Sequence, residues 1–468
     1  MKRFIVCLAI FLLAALIGCQ IKPEQLRPAL SEDGELYVYM EHFHPDSARL
    51  KFDLDMIYAV NENGGMVPLT LRMEQFTAAG SRRQRLAALG VLPPGRYAGL
   101  AFKVKDASLE GSGEGGAALL APEKPASIDF PFTVEAKGAT VISMDLTYKK
   151  AVKAGFSFFP GFELKIPIKP VNTLVGYVVN YGSNDITVFD KAAMRVTGVI
   201  PTGEGPVCMV LDQNLNKGFV SLSREDAIQV IDMISGAIIG RIRLNPGDSP
   251  RELALTPDGK TLFCANNGSN TVSVIDPVSY IETSRITVGT QPVSIVMDKT
   301  GRAWVFNYFS NTISMIDTLS GTVVATLPSD LTPLRGAFNR NGDRFYIINE
   351  GSPYLTSINP ATLATVQKQF AGIGMRAIKV DTNTDLIYIG KEGDPYIEIY
   401  NPFTLMPQDY LKAGRGARYM TIDNDENNLC IVDSDESSLL FINLASRKAV
   451  SRIDVGEDPV WVALAGER

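Results

Sequence analysis

The chain has 468 residues, 46% of them hydrophobic and 21% charged, with 40 Gly and 27 Pro. That is the composition of a turn-rich globular protein with room for more than one core, and it excludes collagen-like and disordered classes. A formal net charge of -6 spread over 50.9 kDa offers none of the basic surface that counterion release on nucleic acid requires. The only histidines are His42 and His44, so any chemistry further along proceeds without imidazole.

Lys2 and Arg3 precede an apolar run from Phe4 to Ile17. The run is shorter than the roughly 20 residues a membrane-spanning helix needs, and it reads as a signal peptide. It ends in Leu16-Ile17-Gly18-Cys19, which resembles the bacterial lipobox, where small residues admit the signal peptidase and the thiol is acylated. The resemblance implies that residues 1–18 are removed, that Cys19 is the lipid attachment site, and that Gln20 in place of Asp directs the protein to the outer membrane. At about 0.8 kcal/mol per buried CH2, several acyl chains hold a protein on a bilayer without a spanning segment. Residues 19–32, with Pro23 and Pro28, form a tether. Cys7 leaves with the signal, and Cys208, Cys264 and Cys430 remain, an odd set far apart in apolar strand-like surroundings. They are expected to be buried, inert thiols with no disulfide framework.

Residues 33–169 read as a β-sandwich, with alternating runs at Glu35 to Tyr39, Ser127 to Phe130 and Ala139 to Met144, and a Gly-rich loop from Glu110 to Gly116. Leu92-Pro93-Pro94-Gly95-Arg96-Tyr97 resembles the transthyretin-like sandwich domains of unknown function found near the N-terminus of bacterial surface lipoproteins. His42-Phe43-His44 places two imidazoles on one side, but no third ligand has diagnostic spacing, so the pair reads as surface histidines rather than a metal site.

Residues 170–468 repeat. Apolar alternating runs close on Asp190, Asp232, Asp276, Asp317, Asn359, Asn401 and Asn443, at spacings of 42, 44, 41, 42, 42 and 42 residues. A fixed period of this length signals a repeat architecture. One unit holds four strand-like runs, of which Thr271 to Ile275 alternates with period two. Four strands per unit fit a propeller blade. Asp258-Gly259 and Asn341-Gly342 sit where hairpins need positive φ, and the closing Asp or Asn is suited to bond nearby backbone in a turn. The first unit, at Val175 to Val178, lacks an inner strand, and the chain ends on an inner strand, Pro459 to Leu464, with no sheet of its own. The predicted fold is therefore all-β: an N-terminal β-sandwich followed by a seven-bladed β-propeller, closed by pairing of a C-terminal inner strand with three N-terminal strands.

The phrases Phe263 to Asp276 (FCANNGSNTVSVID) and Pro257-Asp258-Gly259-Lys260 resemble the repeat of the YVTN family of bacterial β-propellers. Blades five and six depart from it, with Gly351-Ser352-Pro353-Tyr354 and Gly393-Asp394-Pro395-Tyr396 in place of the Gly-Ser-Asn-Thr loop. WD40 repeats are disfavoured, since Trp304 and Trp461 are the only tryptophans and neither precedes Asp.

Ligands of propellers tend to sit at the channel mouth. Aligning the inner strands on their proline-like starts gives one ring: Cys208, Glu252, Ser294, Arg335, Arg376, Tyr419 and Trp461. One reading has Arg335 and Arg376 fork the oxygens of an anionic or carbohydrate-like ligand while Trp461 or Tyr419 stacks on it. The other has the arginines pair with Glu252 or loop carboxylates and fill the channel. Without propeller histidines no Ser-His-Asp triad, haem imidazole or copper-imidazole cluster can form, so resemblance to nitrite or nitrous oxide reductase propellers stops at the fold. A Ca2+-assisted, lactonase-like hydrolysis is an alternative whose best local candidate, Asp423 to Asn428, starts like an EF-hand loop but lacks its Gly and its closing Glu. A third possibility is an accessory protein of periplasmic redox enzymes or of envelope assembly. The expected function is that of a lipid-anchored envelope protein, more a binding or scaffolding module than an enzyme. It needs no cofactor and no catalytic residue, and its partners are the membrane and an envelope or extracellular protein or glycan.

Overall fold

The computed structural model describes residues 32–78, 83–110 and 116–467. The signal run, Cys7, Cys19, most of the tether and the middle of the Glu110 to Gly116 loop lie outside the described residues. Among the described residues no helix is long and apolar enough to cross a membrane.

Seven antiparallel blades of four strands follow one another from Val175 onward, six as separate sheets and the last, Ala417–Asp423 to Lys448–Asp454, continuing into a nine-stranded sheet. The first consists of Arg195–Pro201, Asp185–Asp190, Val175–Asn180 and, from the far end of the chain, Pro459–Leu464. Val178 pairs with Val462 and Gly176 with Leu464, so the ring closes as the chain ends predicted. Burial of Val462 and Leu464 in this sheet contributes roughly 1.5–3 kcal/mol each. The second strands of the blades are buried throughout, as Leu262–Asn266 is, or at every position but one terminal Lys or Arg. Neighbouring blades cover both of their faces, which is why their sequences are continuous apolar runs rather than alternating ones.

The turns follow their local chemistry. Asp190 Oδ1 accepts from the backbone of Ala192 and Ala193, Asp317 Oδ1 from Leu319 and Ser320, and Asn401 Oδ1 from Phe403 and Thr404. Gly259 and Gly342 have φ of 70° and 75°, as their hairpins require.

The N-terminal region packs two sheets face to face. One runs Glu163–Lys165, Ala139–Asp145, Gly34–Met40 and Arg83–Leu92, and the other is built on Leu50–Asn61 and Gly95–Leu109. Phe52 lies at the centre of the core between them, 4.8 Å from Phe76 and 5.0 Å from Phe158 in stacked geometry. His42 and His44 are exposed on either side of buried Phe43, just past the first strand, and His44 Nε2 lies 3.5 Å from Asp145.

Glu32–Arg468 forms one compact unit, in which the sandwich packs on the propeller. Arg83 and Gln84 pair in parallel with Arg452 and Ile453, joining a sandwich sheet to the last blade. Arg83 Nε donates to Asp454 at 2.6 Å, Gln84 Oε1 accepts from the Val196 backbone at 2.7 Å, and Tyr37 and Tyr39 share a core with Phe189 and Phe441.

Candidate functional site

Every inner strand of the ring carries the same irregularity. Those that begin at Pro206, Pro292, Pro333, Met375, Ala417 and Pro459 shift register between their first and third residues, and the strand from Pro250 does so before Leu253. A bulge of this kind re-aims side chains and lets two consecutive residues face the same space. The channel therefore has two rings where a plain strand would give one.

The third residues form the inner ring: Cys208, Glu252, Ser294, Arg335, Ala377, Tyr419 and Trp461. Six of these seven are residues that the sequence alignment put in one ring. Arg376 does not belong with them, because Met375 starts its strand and Ala377 occupies the place equivalent to Arg335. The strand from Met375, like the one from Ala417, starts without a proline, and in it Arg376 stands one residue before the ring position that Ala377 fills.

The inner ring forms a plug. Arg335 Nη2 lies 2.8 Å from Glu252 Oε2, and Nη1 donates to Oε1 at 3.2 Å. The guanidinium carbon sits 4.8 Å from the Tyr419 ring centroid and 5.0 Å from that of Trp461, while the two rings stack on each other at 3.9 Å. Trp461 and Tyr419 thus stack on one another and on Arg335 rather than standing free for a ligand. Burial pushes the Glu252 carboxyl and the Tyr419 phenol up, and the Arg335 charge pulls both partway back. Ser294 is fully buried at its ring position. The Cys208, Cys264 and Cys430 thiols are buried and free, and burial pushes each of them well up.

The second residues, Val207, Arg251, Val293, Leu334, Arg376, Arg418 and Val460, all line a cavity of about 520 Å³ above the plug. Tyr181, Asn267, Gln291, Tyr308, Glu350 and Asp458 complete its wall. Arg376 is held by loop carboxylates, with Glu350 at 3.0 Å and Glu392 at 2.7 Å from Nη2. Among the described residues neither Arg251 nor Arg418 has an ion pair, and the Arg251 Nε is buried without a hydrogen-bond partner. Burial, and after it the charge of Arg418, lower the pKa of Arg251, so the two cations feel each other across the mouth. Sequence alignment missed both residues, since a bulge leaves no pattern in Pro250-Arg251-Glu252 or Ala417-Arg418-Tyr419.

Below the plug lies a second opening of about 500 Å³ with a mixed lining, apolar at Met209, Met297, Phe338 and Met420 and polar at Gln213, Lys379 and Glu467. At its edge Lys379 pairs with Glu467 at 2.7 Å. The EF-hand-like stretch is the turn between Ala417–Asp423 and Asn428–Asp433. The buried ammonium of Lys191 lies 2.7 Å from Asp423 Oδ1 and 3.2 Å from Asp425 Oδ2, so its carboxylates already hold a cation of the chain's own. Among the described residues no group of three or more His, Cys, Asp or Glu is placed to hold a metal ion.

Fold and site together define a closed β-propeller with a plugged channel and a cationic mouth. No family model and no curated protein matches the sequence. Solved structures do. A functionally unknown protein from Desulfotomaculum acetoxidans is 15% identical, with 62% of this chain and 98% of that one covered and a TM-score of 0.54. Kuenenia stuttgartiensis hydrazine synthase is 19% identical over 54% of this chain and 87% of its own, TM-score 0.48. Dihydro-heme d1 dehydrogenase NirN, solved in complex with DHE, is 13% identical over 64% and 77%, TM-score 0.48. The likeness to the Desulfotomaculum protein is one of fold alone.

Proposed function

We propose that this protein is a binding module of the bacterial cell envelope, lipid-anchored through Cys19, whose propeller mouth takes an anionic ligand. One observation supports the reading above all: Arg251 and Arg418 face one cavity with no carboxylate of their own, and one of them has a buried donor left without a partner. The guanidinium of half-buried Arg251 and that of Arg418 line the open cavity, so a ligand oxyanion there gains charge-assisted hydrogen bonds of about 1.5–3 kcal/mol each. Arg376, steadied by two carboxylates, and Gln291 supply further donors around the same space. This replaces the predicted pairing of Arg335 with Arg376, since Arg335 is committed to Glu252.

Titration calorimetry with citrate, phosphate and sulfate tests the reading, with glucose as the neutral control. Citrate is expected to bind in a salt-dependent manner, and Arg251→Ala or Arg418→Ala to weaken it about 10- to 100-fold, the loss of one charge-assisted hydrogen bond. Flat titrations with all three anions would sink it. The anchor is tested separately by radiolabelled palmitate, which is expected on the parent and absent from Cys19→Ser.

A further inference from the structure

The face around the mouth is not uniform. In blades five and six the loops that depart from the repeat run Glu350-Gly351-Ser352-Pro353-Tyr354 and Glu392-Gly393-Asp394-Pro395-Tyr396. Each starts at a carboxylate that grips Arg376 at the mouth and ends on a tyrosine that opens the third strand of its blade. The two loops therefore run side by side from the mouth to the third strands of their blades.

Their ends carry apolar surface. Tyr354 meets its cross-strand partner Phe370 edge to face at 6.0 Å, and Tyr396 meets Tyr410 at 5.1 Å. Phe370 and Tyr410 are each 64% exposed, and Ile373, two residues before Met375 and the Arg376 strand, is 74% exposed. Large apolar side chains gathered on one side of a cleft and rimmed by polar residues mark an interaction surface. Aromatic anchors beside arginines are the composition of protein-binding hot spots. A bilayer fits poorly, because the Asp394 carboxylate stands on the same rim and repels anionic headgroups.

We infer that blades five and six dock a partner polypeptide. An apolar stretch of that partner covers Tyr354, Phe370, Ile373 and the Tyr396–Tyr410 pair, and an acidic side chain a few residues away enters the mouth between Arg251 and Arg418. The second contact rests on the anion reading above, while the first does not.

The test places the photoreactive residue p-benzoylphenylalanine at Tyr396 in the full-length, envelope-located protein, and in a control at Phe403, which lies beyond the opposite end of the same strand. Irradiation of intact cells is expected to give a discrete, protease-sensitive adduct from position 396 and none from 403. Mass spectrometry should map it to a segment with Asp or Glu within a few residues of the attachment point. An Arg251→Ala/Arg418→Ala background should reduce its yield at least tenfold. No adduct, an adduct resistant to protease as a glycan or lipid would be, equal adducts at both positions, or a yield indifferent to the arginines would each overturn the inference. The same photoreactive residue at Phe370 repeats the test if the Tyr396 variant melts below the parent. Citrate binding with no adduct at 396 refutes the docking surface and leaves the anion site standing. An arginine-independent adduct with no anion binding refutes the anion site and the two-point docking with it.

Discussion

The Arg335 guanidinium and the Glu252 carboxylate meet inside the channel as a two-pronged pair, at 2.8 and 3.2 Å, with the stacked rings of Tyr419 and Trp461 against the guanidinium. The pair closes the bore between the cationic cavity above and the second opening below, both of which it lines. It also ties blade three to blade five across the axis.

Removing one partner of such a pair strands the other. Glu252→Met or Arg335→Met alone is expected to cost about 3–5 kcal/mol, whereas Glu252→Met with Arg335→Met should stay close to the parent or exceed it, because apolar groups of similar volume avoid the desolvation of both charges. Urea unfolding of the two singles and the double closes the cycle. Equal losses for the double and for the sum of the singles would show that the two residues are not coupled.

Ring closure has its own latch. Lys191, in the turn after the third strand of blade one, donates to Asp423, Asp425 and the carbonyl of Ala465, just past the closing strand. Lys191 and Asp423 are almost completely buried. Lys191→Met leaves the Asp423 carboxylate buried without its cation, at a cost of about 3–5 kcal/mol. The effect should be local first: amide exchange over Pro459–Leu464 should accelerate more than exchange in blade four. Uniform protection across the ring would refute the latch.

The fold was legible because its determinants are local and repeated. Asp190, Asp232, Asp276 and their successors each cap a turn with a side chain two or three residues from its donors, and the missing strand at Val175 has a visible counterpart at Pro459. The mouth was legible in part. Proline marks the start of most inner strands, but the blade-six strand starts at Met375, and the bulges that turn Arg251 and Arg418 into the cavity depend on strand pairing rather than residue type. The parallel pairing of Arg83 with Arg452 was hidden for a related reason, since it joins positions with no local pattern in common.

Asp248 gives a pH signature. Burial raises its carboxyl pKa, but hydrogen bonds from Arg285, at 2.6 and 2.8 Å, then Ser269 and the Asn245 backbone outweigh it and hold it below the usual carboxylate range. A carboxyl whose folded pKa is depressed contributes stability that is fully present above its unfolded pKa, about 4, and is lost as pH falls through the folded value. Asp248→Asn should therefore be less stable than the parent at pH 7, with the gap narrowing as the pH drops below about 4. Thermal melts from pH 7 to 2.5 check this, and a constant gap would refute the assignment.

The buried thiols should be silent. Cys208, Cys264 and Cys430 are held protonated by burial, so Ellman's reagent at pH 8 should leave all three unlabelled in the folded protein and label all three in guanidinium chloride. Rapid labelling of any one in the native state would mark a reactive site that this packing does not contain.

The mouth should show a conflict between stability and binding. Arg251 is pressed by burial and by the charge of Arg418, and no carboxylate pairs with either residue among those described. Residues kept for a ligand are often unfavourable without it. Arg418 is exposed, so its removal creates no cavity and relieves a like-charge repulsion. Arg418→Ala is accordingly expected to melt at or slightly above the parent temperature without ligand, and to lose most of the stabilisation that citrate gives the parent. A variant that melts well below the parent would mean that Arg418 supports the fold, and the anion reading would lose one of the two cations it depends on.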